Sequence, residues 1–95
     1  MSTAHYDVNG NIAVIRLDNT PVNGLGLELR RGIVNGIQQA EADDAVKAVV
    51  LIGSDRAFSG GADISEFGSP KAFAEPNLNT VVNYVESSRK PVIAA

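Results

Sequence analysis

The sequence has no cysteine and no tryptophan, and only one histidine. Without cysteine there is no disulfide framework and no thiolate metal site, and His5 alone cannot assemble a metal centre, so no metal is expected. Positive charge is also scarce. Eight Lys and Arg against eleven Asp and Glu give a net charge of −3, with no basic stripe to neutralise a phosphate backbone, which argues against nucleic acid as a partner. No apolar run approaches the roughly 20 residues that span a bilayer, and the start MSTAHYDVNG lacks the basic and apolar regions of a signal peptide. The expectation is a cytoplasmic protein with no membrane partner.

What is present is the composition of an ordinary folded protein. Hydrophobic residues make up 44% of the 95 and charged residues 20%, with no repeat or low-complexity segment. One small domain is the ceiling at this length.

The segment HYDVNGNIAVIRLDN holds two β-prone stretches joined by Asn9-Gly10, a pair suited to the positive φ angles of a tight hairpin turn, which predicts a hairpin over about residues 4–18. Its second strand is apolar at Ile12, Val14, Ile15 and Leu17, so both of its faces are expected to be covered. Asn23 can cap a helix whose apolar residues Leu25, Leu29, Ile33, Ile37 and Ala40 recur every three to four positions. Four glycines, at 24, 26, 32 and 36, lower the intrinsic helicity of that stretch, so tertiary packing has to hold it, and close backbone approach would account for some of them.

Val46 to Ser54, VKAVVLIGS, is a short aliphatic run stopped by glycine, the pattern of a buried parallel strand. Strand, helix and strand in that order make an α/β unit. Downstream, Gly68, Pro70 and Pro76 permit only short helical turns, while Leu78, Val81, Val82 and Val85 carry helical spacing. KPVIAA then begins like another buried strand with no turn, cap or polar tail behind it, which suggests a truncated fold with an exposed strand edge and a tendency to form homo-oligomers.

The stretch RAFSGGADI, Arg56 to Ile64, follows the end of the Val46 strand, where ligands gather in open α/β sheets because loops turn free N–H groups outward. Gly60 and Gly61 let a ligand approach the main chain, and Asp63 with Glu66 can form a capping box. Such an arrangement suits an oxyanion held by backbone donors, as thioester chemistry through an enolate requires. The same letters also suit a structural turn with a helix cap. Neither a Walker loop nor a dinucleotide-binding fingerprint is present.

Taken together, PVNGLGLELRRGI, VKAVVLIGSDRAFSGGADISEFG and KPVIAA resemble the N-terminal part of the crotonase, or enoyl-CoA hydratase/isomerase, family, from about Tyr6 to Ala95. The wording is most similar to the hydratase part of bifunctional enoyl-CoA hydratase/3-hydroxyacyl-CoA dehydrogenase proteins of fatty-acid β-oxidation. The resemblance implies an α/β fold in which residues 1–95 are the opening turns of a crotonase-like ββα spiral, an incomplete domain.

It further implies that the backbone N–H of Ala62 is one donor of an oxyanion hole, the second coming from a later segment of the family. Gly60, Gly61, Ala62, Asp63 and Ile64 would line the coenzyme A tunnel. Arg56 would meet a coenzyme phosphate, with a solvated charge as the other reading, and Ser65 stands where many members have lysine. Val22, Asn23 and Leu25 match the pantetheine-side loop, although packing and capping would also account for them. Coenzyme A enters as part of an acyl-CoA thioester substrate, with no covalently bound cofactor.

None of Glu28, Glu41, Glu66, Glu75 or Glu86 matches the family's acid/base glutamates, so the isolated chain is expected to be inactive. The competing expectation is a non-catalytic acyl-CoA-binding or assembly module with a crotonase-like start.

Overall fold

In a computed structural model the described residues are 4–18, 24–53 and 70–94. Strands β1 (Ala4–Asn9) and β2 (Ile12–Leu17) form the hairpin, and Gly10 takes the positive φ of 65° that the tight turn demands. Helix α1 (Leu27–Ala42) leads to β3 (Ala48–Ile52), a 3-10 turn (Pro70–Ala72) precedes α2 (Leu78–Ser87), and β4 (Val92–Ala94) follows. The sheet order is β1-β2-β3-β4. The hairpin pair is antiparallel and the other two pairs are parallel.

Two crossovers therefore place helices between parallel neighbours, as the α/β reading requires. The apolar stripe of α1 lies on one sheet face: Leu29, Ile33, Ile37 and Ala40 pack with Ala13, Ile15, Leu17, Val49 and Leu51, and Val46 completes the cluster. Ile15, Leu17, Ile37, Val46 and Val49 are wholly buried. The expected core of the Val46 strand and the Leu25 to Ala40 helix is present, and β2 contributes as much to it as β3 does.

Two expectations are corrected. The second strand is not covered on both faces, because Ala13, Ile15 and Leu17 are buried while Ile12 and Val14 are half-buried and Arg16 is exposed. The half-covered side continues across the sheet as the row Val14, Val50 and Ile93, aligned by the strand register. The helix also starts later than Asn23. Its N-cap is Gly26, whose extended backbone offers its carbonyl to Arg30 N at 2.9 Å and which makes no side-chain cap bond.

Two features at the carboxyl end of α1 lay outside the sequence reading. The helix has no basic residue in its last turn, and Lys90 supplies the missing cation from a distance: its Nζ donates to the carbonyls of Ala40 at 2.6 Å and Asp43 at 2.7 Å. Glu41 accepts from Arg89 N at 2.9 Å. These bonds hold the approach to β4 against α1, and Val49 N closes the joint on the carbonyl of Pro91 at 2.8 Å.

Candidate functional site at the carboxyl rim of the sheet

Parallel register determines where chemistry can gather. Arg16 pairs with Ile52 and Leu51 with Ala94, so β2, β3 and β4 end within about a residue of one another on a single rim. From that rim the chain leaves β2 towards α1 and leaves β3 towards the glycine-rich stretch. Open α/β sheets bind ligands at this rim, since the connecting loops present unpaired N–H groups there. The sequence-derived candidates Gly60, Gly61, Ala62, Asp63, Ile64, Arg56 and Val22 lie outside the described residues, as do Asn23, Ser65 and the capping pair Asp63 and Glu66. The described residues include two anchors, one following each of these stretches in the chain.

The first anchor is Leu25, half-buried against the core just ahead of α1. The second is the chain from Pro70 to Asn77. Within it, the 3-10 turn is closed by bonds from Phe73 N to the Pro70 carbonyl at 3.2 Å and from Ala74 N to the Lys71 carbonyl at 3.4 Å. Arg30 joins both anchors. It is 2% exposed, and its guanidinium donates to the carbonyls of Leu25 (2.7 Å), Lys71 (2.7 Å), Ala74 (3.3 Å) and Pro76 (2.6 Å).

The sequence reading passed over Arg30. Its position three residues from Leu27 and from Ile33 puts a charge on the inward side of α1, and a charge at an apolar-face position was the available signal.

Glu75 lies within the second anchor, and its bonds mark it as structural. Its carboxylate accepts from Asn77 N, from Asn77 Nδ2 at 2.8 Å and from the Thr80 hydroxyl, while Asn77 Oδ1 caps α2 by accepting from Thr80 N at 2.9 Å. A groove of about 260 Å³ lined by Arg31, Val34, Asn35, Glu75, Pro76, Thr80 and Tyr84 lies beside this cap, between α1 and α2. At the opposite end of the rim His5 Nε2 lies 3.1 Å from Asp18 Oδ2, an exposed contact between the start of β1 and the end of β2. Among the described residues no three His, Asp or Glu side chains converge to hold a metal.

Burial raises the Tyr6 hydroxyl above the usual phenol range, and the nearby Asp43 carboxylate adds to the shift. That hydroxyl is buried between β1 and α1, and among the described residues it has no hydrogen-bond partner. It is remote in role from the rim, because its ring packs at the middle of the helix beside Gly36.

Among the described residues no helix is long and apolar enough to cross a membrane. A family model described as enoyl-CoA hydratase/isomerase matches residues 7–95. The human peroxisomal bifunctional enzyme is 43% identical over 84 residues, which is 88% of this chain and 12% of that protein. A Bacillus subtilis protein named "Probable enoyl-CoA hydratase" is 32% identical over 100 aligned positions, covering all of this chain and 39% of its own.

An enoyl-CoA hydratase/carnithine racemase structure from Magnetospirillum magneticum superposes with a TM-score of 0.85 at 30% identity, over 99% of this chain and 38% of that one. The chain thus spans about an eighth of the bifunctional relative and about two fifths of the Bacillus and Magnetospirillum ones. Relatives with peroxisomal names stand beside bacterial ones, so the cytoplasmic expectation does not follow from the kinship. With one family model and both sequence and structural relatives agreeing along nearly its whole length, the chain belongs to the enoyl-CoA hydratase/isomerase, or crotonase, family.

Proposed function

We propose that this chain forms part of an enzyme that hydrates or isomerises 2-enoyl-CoA thioesters of fatty-acid β-oxidation. The observation that carries the reading is the family match over residues 7–95, joined to the rim geometry that brings the ends of three parallel strands together. In this proposal residues 60–64 form the main-chain wall of the coenzyme A site, and the N–H of Ala62 donates to the thioester carbonyl. Arg56 meets a coenzyme phosphate and Val22 lies beside the pantetheine arm.

The chemistry follows from charge. When water adds to the β-carbon, or when a proton leaves the substrate in isomerisation, electron density moves onto the thioester oxygen and an enolate forms. A fixed N–H aimed at that oxygen favours the charged state over the neutral carbonyl, and one such donor typically lowers the barrier by about 3 kcal/mol. A positioned acid/base group must also move the proton. The family resemblance assigns that role to glutamates beyond those found here, so these 95 residues alone are proposed to be inactive. No covalently bound cofactor takes part, since coenzyme A arrives with the substrate. A homo-oligomer belongs to the same proposal, supported by the row Val14, Val50 and Ile93 on the sheet face opposite α1, where Ile93 is 54% exposed.

The test is an assay of the full-length protein on a short 2-enoyl-CoA, following loss of the conjugated thioester and incorporation of labelled water at the β-carbon. Isomerisation of a 3-enoyl-CoA is assayed in parallel. Turnover in either assay by the full-length protein and none by residues 1–95 is the expected result. Tight acyl-CoA binding without turnover in either assay would identify a non-catalytic binding module instead.

A further inference from the structure

The described segment from Pro70 to Pro76 buries little apolar surface of its own. Phe73, the large apolar residue of the 71–76 segment, is 84% exposed, and the 3-10 turn beside it is only three residues long. Such a segment would ordinarily be free to shift over the helix beneath it. Beside the bonds of the turn and of the Glu75, Asn77 and Thr80 cap, the Arg30 side chain ties it to α1, its planar fork reaching three carbonyls of this segment and the Leu25 carbonyl at once. A guanidinium suits this task because its five N–H groups diverge in one plane from three nitrogens, whereas a lysine donates from one nitrogen and cannot span four carbonyls.

We propose that Arg30 is a positioning residue for the thioester site. Leu25 follows the stretch that contains Val22, and Lys71, Ala74 and Pro76 follow the stretch that contains Ala62. One side chain therefore ties together residues that follow both stretches in the chain, and in this proposal the main-chain donors depend on that tie. The inference rests on the functional reading above, and it adds a residue that touches neither substrate nor reacting atoms. Misplacement of a donor by about 1 Å is enough to cost about a hundredfold in rate.

The experiment uses the full-length protein with Arg30→Lys and Arg30→Met. For each, kcat and KM on the active enoyl-CoA substrate are measured per folded molecule, and amide exchange is read separately for residues 12–17, 48–52 and 70–77. Arg30→Lys keeps the charge and loses the fork, so it decides the matter if Arg30→Met fails to fold.

The expected result is a kcat lowered about a hundredfold with KM within about threefold, faster exchange at 70–77, and unchanged exchange in the sheet. A merely structural role would leave kcat per folded molecule intact. Unaltered kcat in the folded variants, or exchange accelerated equally in sheet and segment, would overturn the inference while leaving the functional reading in place. A wild-type protein inactive on enoyl-CoA would instead remove the reading itself, and that outcome is visible before any variant is made.

Discussion

A Cβ built on Gly36 would lie 2.6 Å from Cδ1 of Ile15, so α1 rests on β2 at a spacing that a glycine permits. A second close approach occurs one turn earlier, where a Cβ on Gly32 would strike the Cβ of Ala4. Replacing Gly36 by alanine gains about 1 kcal/mol of helix propensity, yet overpacking a filled site costs about 1–3 kcal/mol. Ile15 is wholly buried and cannot swing into open space, so the steric cost should win. Thermal denaturation of Gly36→Ala should show a net loss of about 1 kcal/mol. A raised melting temperature would show that the helix does not approach the strand this closely.

Ile37, the next residue along α1, is wholly buried in the same core cluster. Ile37→Ala removes three heavy atoms from a core with little room to relax, and denaturant unfolding should show a loss of about 2–5 kcal/mol. An unchanged midpoint would place that helix face outside the core.

Much of this packing was legible in the sequence. The Asn9-Gly10 pair located the hairpin because few residues accept the φ that Gly10 adopts. The aliphatic run ending at Ile52 and the stripe from Leu29 to Ala40 revealed β3 and α1 because one periodic signal dominated each. Other contacts depended on residues far apart in the chain. Arg30 meets carbonyls more than 40 positions away, and Lys90 caps a helix that ended 48 residues earlier, neither of which leaves a local pattern. The N-cap moved from Asn23 to Gly26 because helix propensity does not register how tertiary packing sets the first turn. For the site, the string around Ala62 conveyed the family through its order of letters, a kinship borne out by the relatives, while the roles given to Arg56, Val22 and residues 60–64 remain proposals for mutation to decide.

The Lys90 bonds lead to a further expectation. Lys90→Met keeps the aliphatic stem and removes the cation that satisfies the Ala40 and Asp43 carbonyls at the end of α1. Loss of these charge-assisted bonds should cost about 1–3 kcal/mol, read by denaturant unfolding. Arginine at this position should recover part of the loss. A stability equal to the parent would mean that β4 is held without this tie.

Tyr6 should show itself through pH. Its folded pKa is raised, so the folded state favours the neutral phenol; this contribution is fully present below the unfolded value near about 10 and is lost as pH climbs through the higher folded value. Tyr6→Phe removes a buried hydroxyl that lacks a partner among the described residues and should gain up to about 1 kcal/mol at neutral pH. The variant should also lose less stability above about pH 10 than the parent does. Parallel stability curves for the two proteins across that range would contradict the burial of this hydroxyl.

The central claim is that a main-chain donor at Ala62 stabilises an enolate, and it is tested most directly by the turnover of Ala62→Pro in the full-length protein. Proline removes that N–H, and the loss of one oxyanion donor lowers kcat by about 10²- to 10³-fold. Circular dichroism is recorded first, so that a distorted turn is separated from a missing donor. A folded Ala62→Pro protein with kcat reduced by that factor on a short 2-enoyl-CoA is the expected result, and a folded variant turning over at the parent's rate would contradict the account.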